Sequence, residues 1–247
     1  MQIRDIVAFL NEKAPLDTAE EWDNPGLLIG SPAAPVERVL VALDATPAAL
    51  EAARRMDAQL LVTHHPVIFR PLRALDAAAV PYQAAAAGIA VVSAHTNLDK
   101  ASGGVNDTLA ALLGLTAVQP GEDGMSRIGL LPAPVDARTF AAQVGARLHT
   151  AVRVNGDRPV QRVAVCGGSG GEFILPLSAQ ADAYVTGEVR HHEWLLAEER
   201  GLTVLEAGHY ATEVPVVDTL CRWLRGTFPR LTVAAFPGEP PYETITR

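Results

Sequence analysis

The chain has 247 residues, 49% hydrophobic and 19% charged, with a formal net charge of −8. That is enough for one large domain or two small ones with a sizeable core, and too apolar for a disordered chain. The acidic balance, with no run of Lys and Arg, disfavours nucleic acid as a partner, because a non-specific binder must neutralise phosphates. Cys166 and Cys221 lie far apart and outside any CxxC, as in a reducing compartment. No apolar run reaches the ~18 residues a membrane span needs.

The start, MQIRDIVAFLNEKAP, has apolar residues at helical spacing (Ile3, Ile6, Val7, Leu10) and no small-residue cleavage site, so we expect an amphipathic helix of a cytoplasmic protein. EEWDNPGLLIG (20–30) reads as an ordered loop entering a short strand, with no role assigned to Trp22 or Asn24. RVLVALD (38–44) reads as a strand, and TPAALEAARRM as a helix starting at Thr46 with Pro47 in its first position. AQLLVTHH is a strand ending in two histidines. ALDAAAVPYQAAAAG is a poorer helix, expected to break near Pro81. IAVVSAHTNLD is a further strand, followed by a glycine step into VNDTLAALLGL. Strands alternating with Ala-rich helical stretches predict α/β architecture with a largely parallel or mixed sheet covered by helices.

The pattern then recurs. RVAVCGGSG matches RVLVALD, ADAYVTGE resembles DAQLLVTHH, GLTVLEAGHYATE resembles GIAVVSAHTNLD, and VVDTLCRWL shares Asp-Thr-Leu with VNDTLAALL. Asp182, Ala183, Val185 and Thr186 echo Asp57, Ala58, Val62 and Thr63. This order of motifs predicts two similar α/β halves, residues 1–125 and 126–247, divided near the Pro/Gly/Asp-rich stretch 119–124.

Each half ends a strand with histidine, three residues, acid: His95 with Asp99, and His209 with Glu213. His64 and His65 end another. In open α/β sheets the carboxyl ends of strands are where ligands bind, so two facing halves would bring both sets into one cleft. Imidazole and carboxylate suit Zn, Fe or Mn. Five or more such ligands exceed what one ion with an open position needs, and two ions about 3.5–4 Å apart sharing a carboxylate fit better. Adjacent histidines on an ideal strand face opposite ways. Before Pro66 the backbone can turn, so that His64 serves one ion and His65 the other.

His191 and His192 fall at a helix start, where neighbours diverge by ~100° and at most one faces a cleft. His149 reads as surface. CGGSGGE (166–172) follows a strand and reads either as a phosphate cradle or as a tight turn. It also matches GxSxG around Ser169, with Asp182 and His209 later in triad order, but so glycine-rich a stretch matches by chance. Cys166 reads as a small buried thiol, with nothing beside it to activate it.

Together EEWDNPGLLIG, LVTHHP, SAHTNLDKASGGVNDTLA, VCGGSGG, ADAYVTGE and GHYATE, in order over nearly the whole chain, resemble the NIF-three-like dinuclear metal-centre proteins, catalogued as GTP cyclohydrolase 1 type 2 homologues. The resemblance implies two divalent metal ions per chain held by His64, His65, Asp99, His209 and Glu213, with Asp99 or Glu213 as the bridge. It also implies a two-domain α/β fold and a ring-shaped homo-hexamer. His95 matches a motif histidine lining the same site rather than a ligand.

The expected chemistry is hydrolysis of a small molecule by a metal-bridging hydroxide, a nucleotide being one candidate substrate, with His95 or His192 as the proton shuttle. The alternative is a non-enzymatic protein that stores or delivers metal, or a ring-shaped scaffold. Arg190 and the glycine-rich loop are the expected contributors to a substrate pocket.

Overall fold

The computed structural model describes residues 1–243. In chain order the elements are α1 (Ile3–Lys13), β1 (Gly26–Ile29), β2 (Arg38–Ala42), α2 (Pro47–Arg55), β3 (Leu60–Thr63), α3 (Val80–Ala86), β4 (Ala90–Ser93), α4 (Thr96–Lys100), α5 (Val105–Leu112), β5 (Thr116–Pro120) and β6 (Arg127–Asp136). They continue as α6 (Ala137–Leu148), β7 (Arg153–Val154), β8 (Pro159–Cys166), α7 (Ile174–Leu177), β9 (Ala183–Thr186), α8 (His191–Arg200), β10 (Thr203–Glu206), α9 (His209–Glu213), α10 (Pro215–Thr227) and β11 (Thr232–Phe236). Among the described residues no helix is long and apolar enough to cross a membrane.

Two compact units result. The first comprises Met1–Gly104 and Val216–Glu239, and the second Val105–Pro215 with the described residues from 240 to 243. The chain therefore changes unit after α4 and again at the start of α10. Of the two segments sharing Asp-Thr-Leu, α5 belongs to the second unit and most of α10 to the first.

The first unit holds a five-stranded sheet in the order β1-β4-β3-β2-β11, parallel except for β1, which runs antiparallel to β4. Its inner strands β2, β3 and β4 are near-continuous Val/Leu/Ala runs because both of their faces are covered, as parallel sheets require. Leu40, Ala42, Leu61 and Val91 pack with Ala49, Leu50 and Ala53 of α2 and Ala84 of α3. The alternate residues Val39, Val41, Leu60 and Val62 are equally buried. α2 starts as its sequence predicts: the Thr46 side chain accepts from the Ala49 amide at 3.1 Å, and Pro47 follows. Pro81, expected to break a helix, instead lies in the first turn of α3, where its missing N–H costs nothing.

The second unit holds a six-stranded mixed sheet in the order β5-β6-β8-β9-β10-β7. Its parallel centre, β8-β9-β10, repeats β2-β3-β4, and each triplet is closed by an antiparallel edge strand beyond its third member. Odd-numbered residues (Val163, Val165, Ala183, Val185, Leu205) face α5 and α6, while even-numbered ones (Ala164, Tyr184, Val204) face α7 and α8. This is the period-2 alternation of a sheet buried on both sides.

Register refines the internal repeat. Val39 pairs with Leu60 and Val163 with Ala183, so the counterpart of Asp182 is Gln59 rather than Asp57. Their roles agree. Gln59 Oε1 accepts from the Glu37 and Arg38 amides, both at 2.9 Å, and Asp182 Oδ2 accepts from those of Gln161 and Arg162 at 3.1 and 2.8 Å. Each satisfies the start of the neighbouring strand.

Among the described residues Tyr184 is the largest fully buried side chain, and its hydroxyl donates to the Gly170 carbonyl at 2.9 Å, tying the glycine-rich loop to the sheet. Burial pushes its pKa well above the ordinary value, so it remains a donor. Tyr184→Phe strands that carbonyl and should cost roughly 1–3 kcal/mol. Urea unfolding should show a lower midpoint at an unchanged m-value.

Candidate metal centre

In the first unit, β3 and β4 end side by side, with Thr63 paired to Ser93. Just past them the His64 and His65 amides both donate to the Leu43 carbonyl, at 3.2 and 3.0 Å. The Thr63 and Ser93 hydroxyls both donate to the His65 carbonyl, at 2.8 and 3.2 Å. These bonds turn the chain out of its pleat, so the two imidazoles no longer diverge. Their ring centroids lie 4.8 Å apart. His95, at the end of β4, brings a third ring 5.1 Å from His64 and 5.4 Å from His65. One nitrogen from each of the three lies within 4.8 Å of the other two, a spacing that could hold a metal ion.

The rings are fixed through their Nδ1 atoms. That of His64 meets the Ala94 carbonyl at 2.9 Å, that of His65 meets Asp44 Oδ1 at 2.7 Å, and that of His95 meets Asp23 Oδ1 at 2.8 Å. An acceptor at Nδ1 places the proton there and leaves Nε2 with its lone pair outward, the orientation in which histidine binds a metal. Asp99 lies one helical turn beyond His95, and its Oδ1 is 3.7 Å from His64 Nε2. His64 is wholly buried and Asp99 nearly so.

Asp23 carries more than His95. Its Oδ2 accepts from the Thr96 amide at 3.0 Å and the Thr96 hydroxyl at 2.5 Å. Burial pushes the carboxyl's pKa up, but the hydrogen bonds from His95 and Thr96 and the His95 charge outweigh it, and the value falls to about 2.

In the second unit the HxxxE pair forms α9. His209 and Glu213 stand at i and i+4, hence on one face, with His209 Nε2 at 3.0 Å from Glu213 Oε2. Here too an acid sits at Nδ1: Glu188 Oε1, at 3.2 Å. Glu213 is buried against the glycine-rich loop. Gly168 has φ +67°, and a Cβ there would collide with the Glu213 carboxylate. The loop is a structural turn. The Gly167 amide donates to Asn106 Oδ1 at 2.8 Å and the Gly168 amide to Thr212 Oγ1 at 3.1 Å. No serine triad forms, because Asp182 serves the start of β8 and His209 turns its Nδ1 to Glu188. Cys166 is buried.

Of the residues singled out in the sequence, His64, His65, His95 and Asp99 gather in the first unit, and His209 and Glu213 in the second. His191 and His192 lie exposed in the first turn of α8 and belong to neither group. Sequence reasoning missed Asp23, Asp44 and Glu188. Asp44 had a signal, an acid ending the strand RVLVALD. Asp23 had none, standing 72 residues from the histidine it holds.

The chain is thus an α/β protein with histidines and carboxylates gathered at strand ends in groups that could hold a metal ion. The comparisons place it further. The model of the family Duf34/NIF3 (NGG1p interacting factor 3) matches residues 1–240, and the chain belongs to that family. It is 36% identical over 236 residues to the GTP cyclohydrolase 1 type 2 homolog of Streptomyces coelicolor, covering 87% of this chain and 82% of that one. It is 35% identical over 223 residues to the protein of the same name from Lactococcus lactis, covering 85% and 86%. The crystal structure of Staphylococcus aureus protein SA1388 superposes with a TM-score of 0.93 at 25% identity, over 99% of each chain.

The Asp23 carboxylate gives a pH signature. Its folded pKa of about 2 lies below the ordinary value of 3.8, so its contribution is complete above about pH 4 and disappears as the pH falls through 2. At 1.36 kcal/mol per pH unit this is roughly 2 kcal/mol. Chemical denaturation at several pH values from 5 to 2 should show wild type losing about that much more stability than Asp23→Asn.

Proposed function

We propose that the chain is a dinuclear metal-dependent hydrolase of a small, nucleotide-like molecule. His64, His65, Asp99, His209 and Glu213 would hold two divalent ions, either carboxylate serving as the bridge. The observation that supports this most is the similar treatment of the rings: three imidazoles have a hydrogen-bond acceptor at Nδ1, the fourth has the Glu188 carboxylate 3.2 Å from its Nδ1, and two stand within 3.7 Å of a carboxylate at Nε2. A purely structural histidine has no need of this repeated orientation. The donor set accepts zinc, iron or manganese. Bound there, two such ions would supply Lewis acidity and a nucleophile from water near neutral pH.

The protein's own groups do the rest. His95 keeps its proton on Nδ1 against Asp23 and presents Nε2 as a site that takes up or returns a proton. Asp44 orients His65 through its hydrogen bond, and Glu188 pairs with His209, so less rotameric freedom would be lost when ligands close. The exposed position of His192 leaves His95 the better candidate for proton transfer. The name carried by the relatives, GTP cyclohydrolase 1 type 2 homolog, makes GTP the first substrate to test. The homo-hexamer implied by the sequence resemblance belongs to the same reading, and light scattering tests it.

Mass spectrometry of freshly purified, untagged protein should find two equivalents of metal per chain. His65→Ala, Asp99→Ala and Glu213→Gln should each lower that content, and Asp44→Asn should weaken metal affinity by roughly 10- to 100-fold through His65. Turnover of GTP or another nucleotide, followed by formate or phosphate release, should vanish on chelation and return with metal. Two metals without turnover on any nucleotide would instead favour a metal-storing or metal-delivering protein. Full metal content in Asp99→Ala would remove Asp99 from the ligand set.

A further inference from the structure

Beside His95 the first unit keeps two large aromatic rings in solvent. Trp22 is 59% exposed and Phe69 41%. They come from separate loops, yet their ring centroids lie 5.8 Å apart. Each stands edge-on to His95, at 6.1 Å for Trp22 and 6.2 Å for Phe69. His95 in turn touches the rings of His64 and His65, so an unbroken aromatic surface runs from the imidazole cluster to water.

The two loops are pinned. Asp23, next to Trp22, holds His95 and Thr96. Asn24 Nδ2 donates to the Ile68 carbonyl at 2.5 Å, directly before Phe69, and the Glu20 amide donates to Thr96 Oγ1 at 3.0 Å. An indole left in water but prevented from collapsing onto the core forgoes burial, and a chain that holds it so has a use for its open face. Arg70 follows Phe69, and Arg73 lies three residues on. Both are exposed, and among the described residues neither has a hydrogen bond or ion pair. Two uncommitted cations on one loop stand out in a chain of net charge −8.

We infer that Trp22 and Phe69 form a stacking platform for a planar heteroaromatic group, and that Arg70 and Arg73 take the anion attached to it. The ligand class is a nucleoside phosphate or a molecule of the same build. An aliphatic substrate would not need the rings, and an uncharged one would not need the cations. The inference rests on the proposed function only in taking the neighbouring imidazoles as the reaction site; ligand binding at the platform is a separate measurement.

The experiment is calorimetric titration of metal-loaded protein with GTP, guanosine and inorganic triphosphate, with metal content and molecular mass measured on each variant. Trp22→Ala and Phe69→Ala should each weaken GTP and guanosine by roughly 5- to 100-fold, the range for loss of one base–aromatic stack, at unchanged metal content and mass. Trp22→Phe should recover most of the loss. The double variant Arg70→Ala/Arg73→Ala should weaken GTP and triphosphate and leave guanosine within about twofold. The platform is overturned if wild type with full metal binds none of the three, or if GTP affinity survives both aromatic substitutions. It is equally overturned if those substitutions change the mass and not the affinity, which would make the loop an interface between copies of the chain. A wild type that carries no metal defeats the metal-centre reading alone, and the same titration on that protein still decides the platform.

Discussion

The rest of the site depends on the partner at each Nδ1. An imidazole on a loop can rotate about two bonds and carry its proton on either nitrogen. One acceptor in the right place removes both freedoms. Here the partners come from four places in the chain: the Ala94 carbonyl at the end of β4, Asp44 at the end of β2 and Asp23 before β1 as hydrogen-bond acceptors, and the Glu188 carboxylate after β9 as an ion-pair partner. Each lies at or beyond the carboxyl end of a strand or on the loop packed there. The parallel registers of β2-β3-β4 and β8-β9-β10 are therefore part of the site's chemistry. A one-residue slip would carry an acceptor to the opposite face of its sheet.

The internal repeat was used unequally. Thr63 and Thr186 occupy equivalent places, but the next residues are His64 and His65 in one unit and Gly187 and Glu188 in the other. A side chain at Gly187 has no room, since its Cβ would fall 2.7 Å from the His209 Cα and 2.5 Å from the Gly168 carbonyl oxygen. In the first unit this position supplies the two adjacent imidazoles. In the second it supplies close backbone packing and an acid that orients the ring from the next strand.

Much of this was legible in the sequence, for physical reasons. Apolar runs bounded by Gly and Pro show strands, Thr46-Pro47 shows a helix start, and histidines at strand ends mark a candidate site, because all three are local. The rest was not local. An amphipathic helix records that it has an apolar face but not which sheet the face covers, so nothing in VNDTLAALL or VVDTLCRWL says that α5 belongs to the second unit and most of α10 to the first. Pro81 was ambiguous because proline both ends and begins helices. Asp23 was invisible for the same reason that it matters: it joins two loops that meet only in the folded chain. Trp22 and Asn24, given no role from sequence, take theirs from that junction.

The glycine-rich loop is the place where a sequence reader would put a phosphate, and the structure argues against it. The Gly167 and Gly168 amides, which a cradle would need, already donate to Asn106 and Thr212. Two carboxylates face the loop: Glu213 stands against Gly168, and Glu193 against Gly171. An anion brought there would lose its donors to the protein and meet two negative charges at short range, where little water screens them. Glu193 also accepts from the Arg190 amide at 2.6 Å, so the backbone of that residue is committed to capping α8. An anionic substrate must therefore find its counter-charge elsewhere. Arg70 and Arg73 supply it from the loop that leaves the imidazole cluster of the first unit.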